Sequence, residues 1–304
     1  MLKTKFLNKT LRNPTVLASG VMGTSGESLC AVAKNGAGAV SIKSFTLKER
    51  LGHKNPTMVE LPYGFLNAIG LSGAGLEALK EVEFAVQNAG VPVIASIFGA
   101  TVEEYAEMAR KVDACKVKPD FIEANISCPN VGSEFGTPFA TDPKISAKIT
   151  EAIKKETKIP LTMKLTPTVS SIVTVGKAVE EAGADAITAI NCAGPGMMID
   201  ADTAKPVLAN YFGGMSGPMI KPISLRCVYQ LYENVDIPII GLGGVQDARD
   251  AIEMLMAGAT LVGIGSAIRW HGIGIFDKVT KGMKEWMKEH GYKNVGQLRG
   301  KAHE

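Results

Sequence analysis

The sequence predicts an α/β fold: a single (β/α)8 TIM barrel with long βα loops over its C-terminal face. Three observations carry this expectation. The first is a recurring Gly-Ala or Ala-Gly pair followed by an apolar run rich in β-formers: Gly36-Ala37-Gly38-Ala39-Val40-Ser41-Ile42, Ala182-Gly183-Ala184-Asp185-Ala186-Ile187 and Ala257-Gly258-Ala259-Thr260-Leu261-Val262. Glycine there suits a helix C-terminus, where a left-handed residue ends the helix and turns the chain into a strand. The second is an apolar residue, a proline and a strand: Val91-Pro92-Val93-Ile94-Ala95, Ile159-Pro160-Leu161-Thr162-Met163 and Ile237-Pro238-Ile239-Ile240-Gly241. Proline at a strand start removes no ladder hydrogen bond that was needed. The third is the length of three connections, Ser44 to Gly75, Ile126 to Pro143 and Cys192 to Pro222. Long loops in compact domains are usually functional, and after barrel strands they fall on the face where barrel active sites lie.

Element by element, Val16-Leu17-Ala18-Ser19 opens the barrel, and Asp120-Phe121-Ile122-Glu123-Ala124-Asn125 adds a strand in the middle. With the six phrases above this makes about eight apolar strands, which is how buried parallel strands read. Amphipathic runs from Val102 to Val112, Ile145 to Glu156, Thr174 to Glu181 and Ala248 to Met256 supply helices between them. The pattern reaches Ile264 without a linker, so one domain over residues 1–304 is expected. A doubly wound open sheet would want Gly-x-Gly-x-x-Gly after its first strand, and the sequence has none.

Composition narrows the function. Hydrophobic residues make up 46% of the 304, ample for a large core, and the net charge is only +3 with Lys and Arg spread along the chain. No basic block points to nucleic acid, and the N-terminus (Met1-Leu2-Lys3-Thr4-Lys5-Phe6) is neither a signal peptide nor a membrane anchor. A small-molecule partner is expected. Five scattered cysteines, Cys30, Cys115, Cys128, Cys192 and Cys227, suit free thiols in a reducing cytosol. His53, His271, His290 and His303 lack ligand spacing, so no metal site is expected. His290 and His303 read as exposed residues of a charged tail, and Trp270 and Trp286 as helix-packing residues.

Several residues carry chemistry. Asn125-Ile126-Ser127-Cys128-Pro129-Asn130 leaves a strand and sets two amides around one thiol. By residue type alone this could be a turn around a small buried hydrophobe; its place at a strand exit favours a site. Gly132, Gly136 and Pro138 follow, as in a lid or an ordinary surface loop. Gly241-Leu242-Gly243-Gly244-Val245 and Gly263-Ile264-Gly265-Ser266-Ala267 close the last two strands. Glycines there merely fit tight turns or let backbone N–H groups approach a phosphate, helped by the following helix dipoles; phosphate sites recur on those strands, which favours the second reading. Lys43 and Lys164 end the second and fifth strands, where a lysine among apolar residues needs a partner.

On these residues the chain resembles the dihydroorotate dehydrogenases, from about Leu17 to about Ala267. Asn125 to Asn130 is similar to the family's catalytic loop, whose cysteine marks class 1. Leu66-Asn67-Ala68-Ile69-Gly70-Leu71 resembles the substrate-contacting segment, and Ser41-Ile42-Lys43-Ser44 the strand whose lysine lies beside flavin and orotate. Lys205 to Asn210 and Gly213 to Pro218 are similar to class 1B. One departure is Cys192, where the family usually has Thr or Ser after the asparagine.

The resemblance implies oxidation of dihydroorotate to orotate in pyrimidine biosynthesis. Cys128 would take the C5 proton, and hydride would leave C6 for flavin N5. It places substrate against Lys43, Asn67, Ala68, Ile69, Gly70, Leu71, Asn125, Asn130, Asn191 and Cys192. It places FMN against Ala18, Ser19, Gly20, Lys43, Ser44, Asn125, Lys164, Ile190, Gly217, Gly243, Gly244, Gly265 and Ser266. It further implies a cytoplasmic homodimer and a partner subunit carrying FAD and a 2Fe–2S cluster, through which electrons reach NAD+. No four-cysteine cluster motif and no dinucleotide fingerprint occur in this chain. Two rivals are the flavin domain of a dihydropyrimidine dehydrogenase-like protein, which shares the phrase Lys164-Leu165-Thr166-Pro167, and a non-catalytic flavin-binding barrel. Asn130 and the Ala209-Asn210 segment favour orotate chemistry.

Overall fold

The computed structural model describes residues 1–126 and 141–304. In chain order, β1 (Thr4–Phe6) and β2 (Lys9–Leu11) form a hairpin that precedes the first barrel strand, β3 (Thr15–Leu17). Then come α1 (Gly26–Lys34), β4 (Ala39–Ser41), β5 (Met58–Leu61), β6 (Gly64–Asn67), α2 (Ala78–Asn88), β7 (Val93–Ile97), α3 (Val102–Asp113) and β8 (Phe121–Asn125). They are followed by α4 (Pro143–Glu156), β9 (Leu161–Leu165), α5 (Ile172–Glu181), β10 (Ala186–Ala189) and β11 (Ala193–Met197). A two-residue pair, β12 (Ile199–Asp200) with β13 (Lys205–Pro206), leads to β14 (Phe212–Ser216) and α6 (Lys221–Tyr232). The chain ends with β15 (Ile239–Leu242), α7 (Ala248–Met256), β16 (Leu261–Ile264), α8 (Ile268–His271) and α9 (Ile275–Glu289).

Eight parallel strands close on themselves in the order β10-β15-β16-β3-β4-β7-β8-β9. This is a (β/α)8 barrel, as the sequence predicts, and each anticipated strand falls within it. β7, β8 and β9 are buried at every residue, since helices cover one face and the lumen the other. Several helices begin where a side chain can replace the missing backbone acceptors: Thr101 caps α3, Asp142 caps α4 with Pro143 behind it, and Ser171 caps α5. α9 buries Ile275, Phe276, Val279, Met283 and Met287, one apolar stripe against the barrel.

Two additions to the barrel were not anticipated. The β1–β2 hairpin pushes Phe6 and Leu11 into the lumen from its N-terminal end, where they join Val16, Ala39, Ile94, Phe121, Ala186, Ile240 and Leu261. The Phe6 ring meets Phe121 edge-on, with centroids 5.4 Å apart. Above the opposite end, two of the long connections pair as a four-stranded antiparallel sheet in the order β11-β14-β6-β5. Its ladder matches Gly214 to Asn67 and Met215 to Leu66, over a small core of Leu66, Ala68 and Leu208.

The C-terminal region corrects one expectation. His303 is not a tail residue in solvent: its ring stacks on Tyr229 with centroids 3.7 Å apart, and Nε2 lies 3.1 Å from the carbonyl of Ala257. His290 is exposed but stacks on Trp286. Trp286 packs within the helical layer as expected. Trp270 instead stacks on Phe65 of β6 and donates its indole N–H to Glu60 at 2.9 Å, so it braces the antiparallel sheet. No described helix is long and apolar enough to cross a membrane.

Candidate active site at the barrel mouth

Alternate residues of a strand face alternate sides, so the lumen can be read in layers from each strand. The lowest layer is the apolar plug around Phe6 and Phe121. Two residues further along, the layer becomes polar: Ser96 on β7, Glu123 on β8, Thr162 on β9 and Thr188 on β10, each buried. Two residues further still, Asn125 and Lys164 reach the mouth, both buried. Replacing a buried ion pair by apolar side chains is often neutral or stabilising by about 1–4 kcal/mol. A polar middle layer in an otherwise apolar barrel therefore serves something other than stability.

The polar groups form one connected run. Lys164 Nζ donates to Ser19 Oγ at 2.8 Å and lies 3.4 Å from Glu123 Oε1. The Glu123 carboxylate accepts from three hydroxyls: Ser19 Oγ at 2.9 Å, Ser96 Oγ at 3.1 Å and Thr188 Oγ1 at 3.1 Å. From Ser96 the run passes to Ser44 (2.8 Å), from Ser44 to Asn125 (3.0 Å), and from Asn125 Oδ1 to Asn191 Nδ2 (3.1 Å). The backbone N–H of Cys192 donates to Asn191 Oδ1 at 2.8 Å, and Asn67 Nδ2 donates to Cys192 Sγ at 3.7 Å and to the carbonyl of Gly214 at 3.1 Å. Seven of the residues singled out from sequence thus meet: Ser19, Ser44, Asn67, Asn125, Lys164, Asn191 and Cys192.

Glu123, Ser96, Thr188 and Thr162, the last through a 3.2 Å contact with the Thr188 hydroxyl, belong to the same run but were not singled out from sequence. Glu123 could have been found by the argument applied to the two lysines, since a carboxylate in Phe121-Ile122-Glu123-Ala124-Asn125 equally needs a partner. The three hydroxyls carry no such signal.

Lys43 lies two residues beyond the end of β4, half-buried, and gives its ammonium to the carbonyl of Ser72 at 2.6 Å and to Ser72 Oγ at 3.1 Å. Burial pushes its pKa below the ordinary lysine value. It borders a cavity of about 450 Å3 that also touches Ser44, Phe45 and Ser72. The Cys192 thiol is pushed up by burial, partly offset by the Asn67 amide and the Lys164 charge.

The Asn67 to Leu71 segment divides. Asn67 joins the polar run, whereas Ala68 and Leu71 are buried among apolar side chains. The Ile69 carbonyl accepts from the His53 N–H at 3.1 Å, and Gly70, at φ +75°, lies so close to His53 that an added Cβ would sit 2.7 Å from it. These four hold the turn after β6. Cys128 and Asn130 lie outside the described residues, as do Gly132, Gly136 and Pro138.

The glycines at the last two strand ends are not equivalent. Gly243 (φ +134°) and Gly244 (φ +80°) have left-handed backbones, and added Cβ atoms would sit 2.9 Å from Ser224 and 2.7 Å from Lys221. Packing against α6 alone demands glycine there. At Gly265 an added Cβ would meet only ordinary contacts, Ala18 at 3.4 Å and Val21 at 3.8 Å, so nothing in the protein requires glycine. Gly20 (φ +95°) is exposed with open space around it, and Ser266 is half-buried; Ala18 and Ile190 are buried. Gly217 packs against Gly64, 2.7 Å from where its Cβ would be, which explains it without a ligand.

The helix-dipole part of the expectation is corrected. The N-terminus of α7 is already taken by Asp247, whose carboxylate accepts from Arg249 and Asp250 N–H groups at 2.8 and 3.1 Å, and α8 is a single turn. Neither offers a free helix end to a phosphate.

A closed parallel barrel with convergent polar side chains at the C-terminal ends of its strands defines an enzyme of the barrel class. The dihydroorotate dehydrogenase family model matches residues 1–287, and the chain belongs to that family. Among curated relatives, the dihydroorotate dehydrogenase B (NAD(+)) catalytic subunit of Methanothermobacter thermautotrophicus is 47% identical, covering 100% of this chain and 99% of its own. The protein of the same name from Methanosarcina mazei is 46% identical, covering 97% of this chain and 93% of its own. That from Methanocaldococcus jannaschii is 44% identical, covering 100% and 99%.

Proposed function

We propose that this chain oxidises (S)-dihydroorotate to orotate in pyrimidine biosynthesis, with FMN at the barrel mouth and electrons passed to NAD+ through a partner subunit. The observation that carries the reading is the unbroken hydrogen-bonded run from Asn67 to Lys164 at the mouth of a family barrel. Amides from Asn67, Asn125 and Asn191 supply both donors and acceptors, which suits a ring edged by alternating N–H and C=O groups. Lys43 adds a cation for an anionic substituent. Holding the ring in one orientation can itself supply much of the rate.

The residues present also suit FMN. Lys164 offers ammonium donors at the mouth beside Ser19, and Gly265 leaves room for close backbone approach where the protein has no packing need for glycine. When bound, FMN supplies the hydride acceptor. Cys128, three residues after Asn125 in sequence, is the proposed base that removes the C5 proton, with Asn130 beside it in sequence. A homodimer and a partner bearing FAD and a 2Fe–2S cluster complete the proposal; the relatives' designation as catalytic subunits supports the existence of a partner subunit. A cytoplasmic setting is supported by Cys30, Cys115, Cys192 and Cys227, all free thiols.

The test is anaerobic addition of dihydroorotate to the FMN-loaded chain, followed by the visible spectrum. Bleaching is expected, slowed by roughly two to four orders of magnitude in Cys128→Ala, the usual worth of a general base. Bleaching of Cys128→Ala at the parent rate would remove the assigned base, and no bleaching of the parent would remove the function. NADH should form slowly with the chain alone while a soluble dye is reduced quickly; fast NADH formation unaided would remove the partner.

A further inference from the structure

Of the four side chains in the middle layer, only Glu123 carries a charge, and it is 3% exposed. An ionised carboxylate can only accept hydrogen bonds. Ser96 therefore uses its one proton on Glu123, and in the 2.8 Å contact between Ser96 and Ser44 it is Ser44 that donates. Ser44 then has only lone pairs left for Asn125, whose Nδ2 donates to it. This turns the Asn125 amide so that Oδ1 faces Asn191, and it turns Asn191 so that its own oxygen accepts from Cys192 N–H. The polarity of each bond follows from the one before it, starting at the carboxylate.

We propose that Glu123 is a positioning residue of this site, setting through Ser96 and Ser44 which way round Asn125 and Asn191 present their amides to the pyrimidine ring. The proposal rests on the reading of those two asparagines as ring-holding residues. A site built to match donors and acceptors loses affinity steeply when one amide is reversed, because a buried polar group is then left unpaired. Glutamine at position 123 has nearly the same shape but can donate as well as accept, so it no longer dictates a direction.

The experiment is calorimetric titration of the FMN-loaded protein with orotate. Glu123→Gln should bind orotate at least tenfold more weakly, with unchanged far-UV circular dichroism and FMN content. Charge alone predicts the opposite sign, since removing a buried negative charge would favour an anionic ligand. In an Asn125→Ala background, Glu123→Gln should add less than twofold, because the amide it orients is gone. Full additivity would overturn the proposal, and so would unchanged affinity in Glu123→Gln when Asn125→Ala is itself weakened. Unchanged affinity in Asn125→Ala would remove the ring-holding assignment and this proposal with it. Should Glu123→Gln fail to fold, Ser96→Ala keeps the carboxylate and its Lys164 contact while cutting the relay. It should weaken orotate at least threefold, and parent affinity would overturn the proposal.

Discussion

Lys43 shows how a proposed binding residue taxes the fold that carries it. Its ammonium is half-buried against Ser72, and desolvation lowers its pKa from 10.5. A folded-state pKa below the unfolded one means that folding opposes the charged form. That opposition is complete below the folded pKa and fades as pH rises toward the unfolded value. Lys43→Met should therefore compare best with the parent near neutral pH and lose ground to it as pH rises toward 10.5, the unfolded value. Melting temperatures of the two FMN-free proteins across that range check this; a parallel pair of curves would show that the charge is not the cause. Position 43 was legible in the sequence because a lysine closes an apolar run, although the strand itself ends two residues earlier, at Ser41. Cys192 was legible only as a departure from the family pattern, since nothing in its neighbours announces that its sulfur faces Asn67 from 125 residues away.

At the scale of elements, the barrel strands were readable because each is covered on both faces, which forces a continuous apolar run, and because Gly or Pro marks its start. The turn after β16 repeats the motif of the turn after β15, yet the two glycine clusters behave differently in space. Gly265→Val should lower FMN content per chain with the circular dichroism spectrum unchanged, because an added Cβ meets nothing closer than 3.4 Å. Full FMN occupancy would put the phosphate elsewhere. Gly243→Val would strain a backbone at φ +134° against Ser224 and test packing as much as binding. The antiparallel sheet above the mouth was not readable. β6 and β14 hold Gly64, Gly213 and Gly214, which weaken any strand pattern, and their partners are chosen by tertiary contact.

The whole molecule is closed at one end by its own N-terminus. The mixed polar and apolar start gave no strand signal, since β1 and β2 have three residues each and their value lies in two side chains, Phe6 and Leu11. Phe6→Ala would leave a cavity against Phe121 and should cost about 3–5 kcal/mol, seen as a lower denaturant midpoint. Orotate affinity of the folded fraction should hold, because the plug lies two layers below the asparagines. A variant of parent stability would mean that the hairpin only rests on the barrel. The last residues tie in as well: Val295 N–H donates to the Met1 carbonyl at 3.0 Å, and His303 packs between Tyr229 and Tyr232.

The sheet over the mouth joins segments 147 residues apart, where Asn67 meets Gly214. Bringing such distant segments together carries the loop-closure cost that makes non-local pairings late events in folding. A refolding chain can regain most of its helix before Asn67 reaches Cys192. Recovery of ligand binding is thus a stricter yardstick of complete refolding than recovery of secondary structure, and the interval between the two clocks the final stitch.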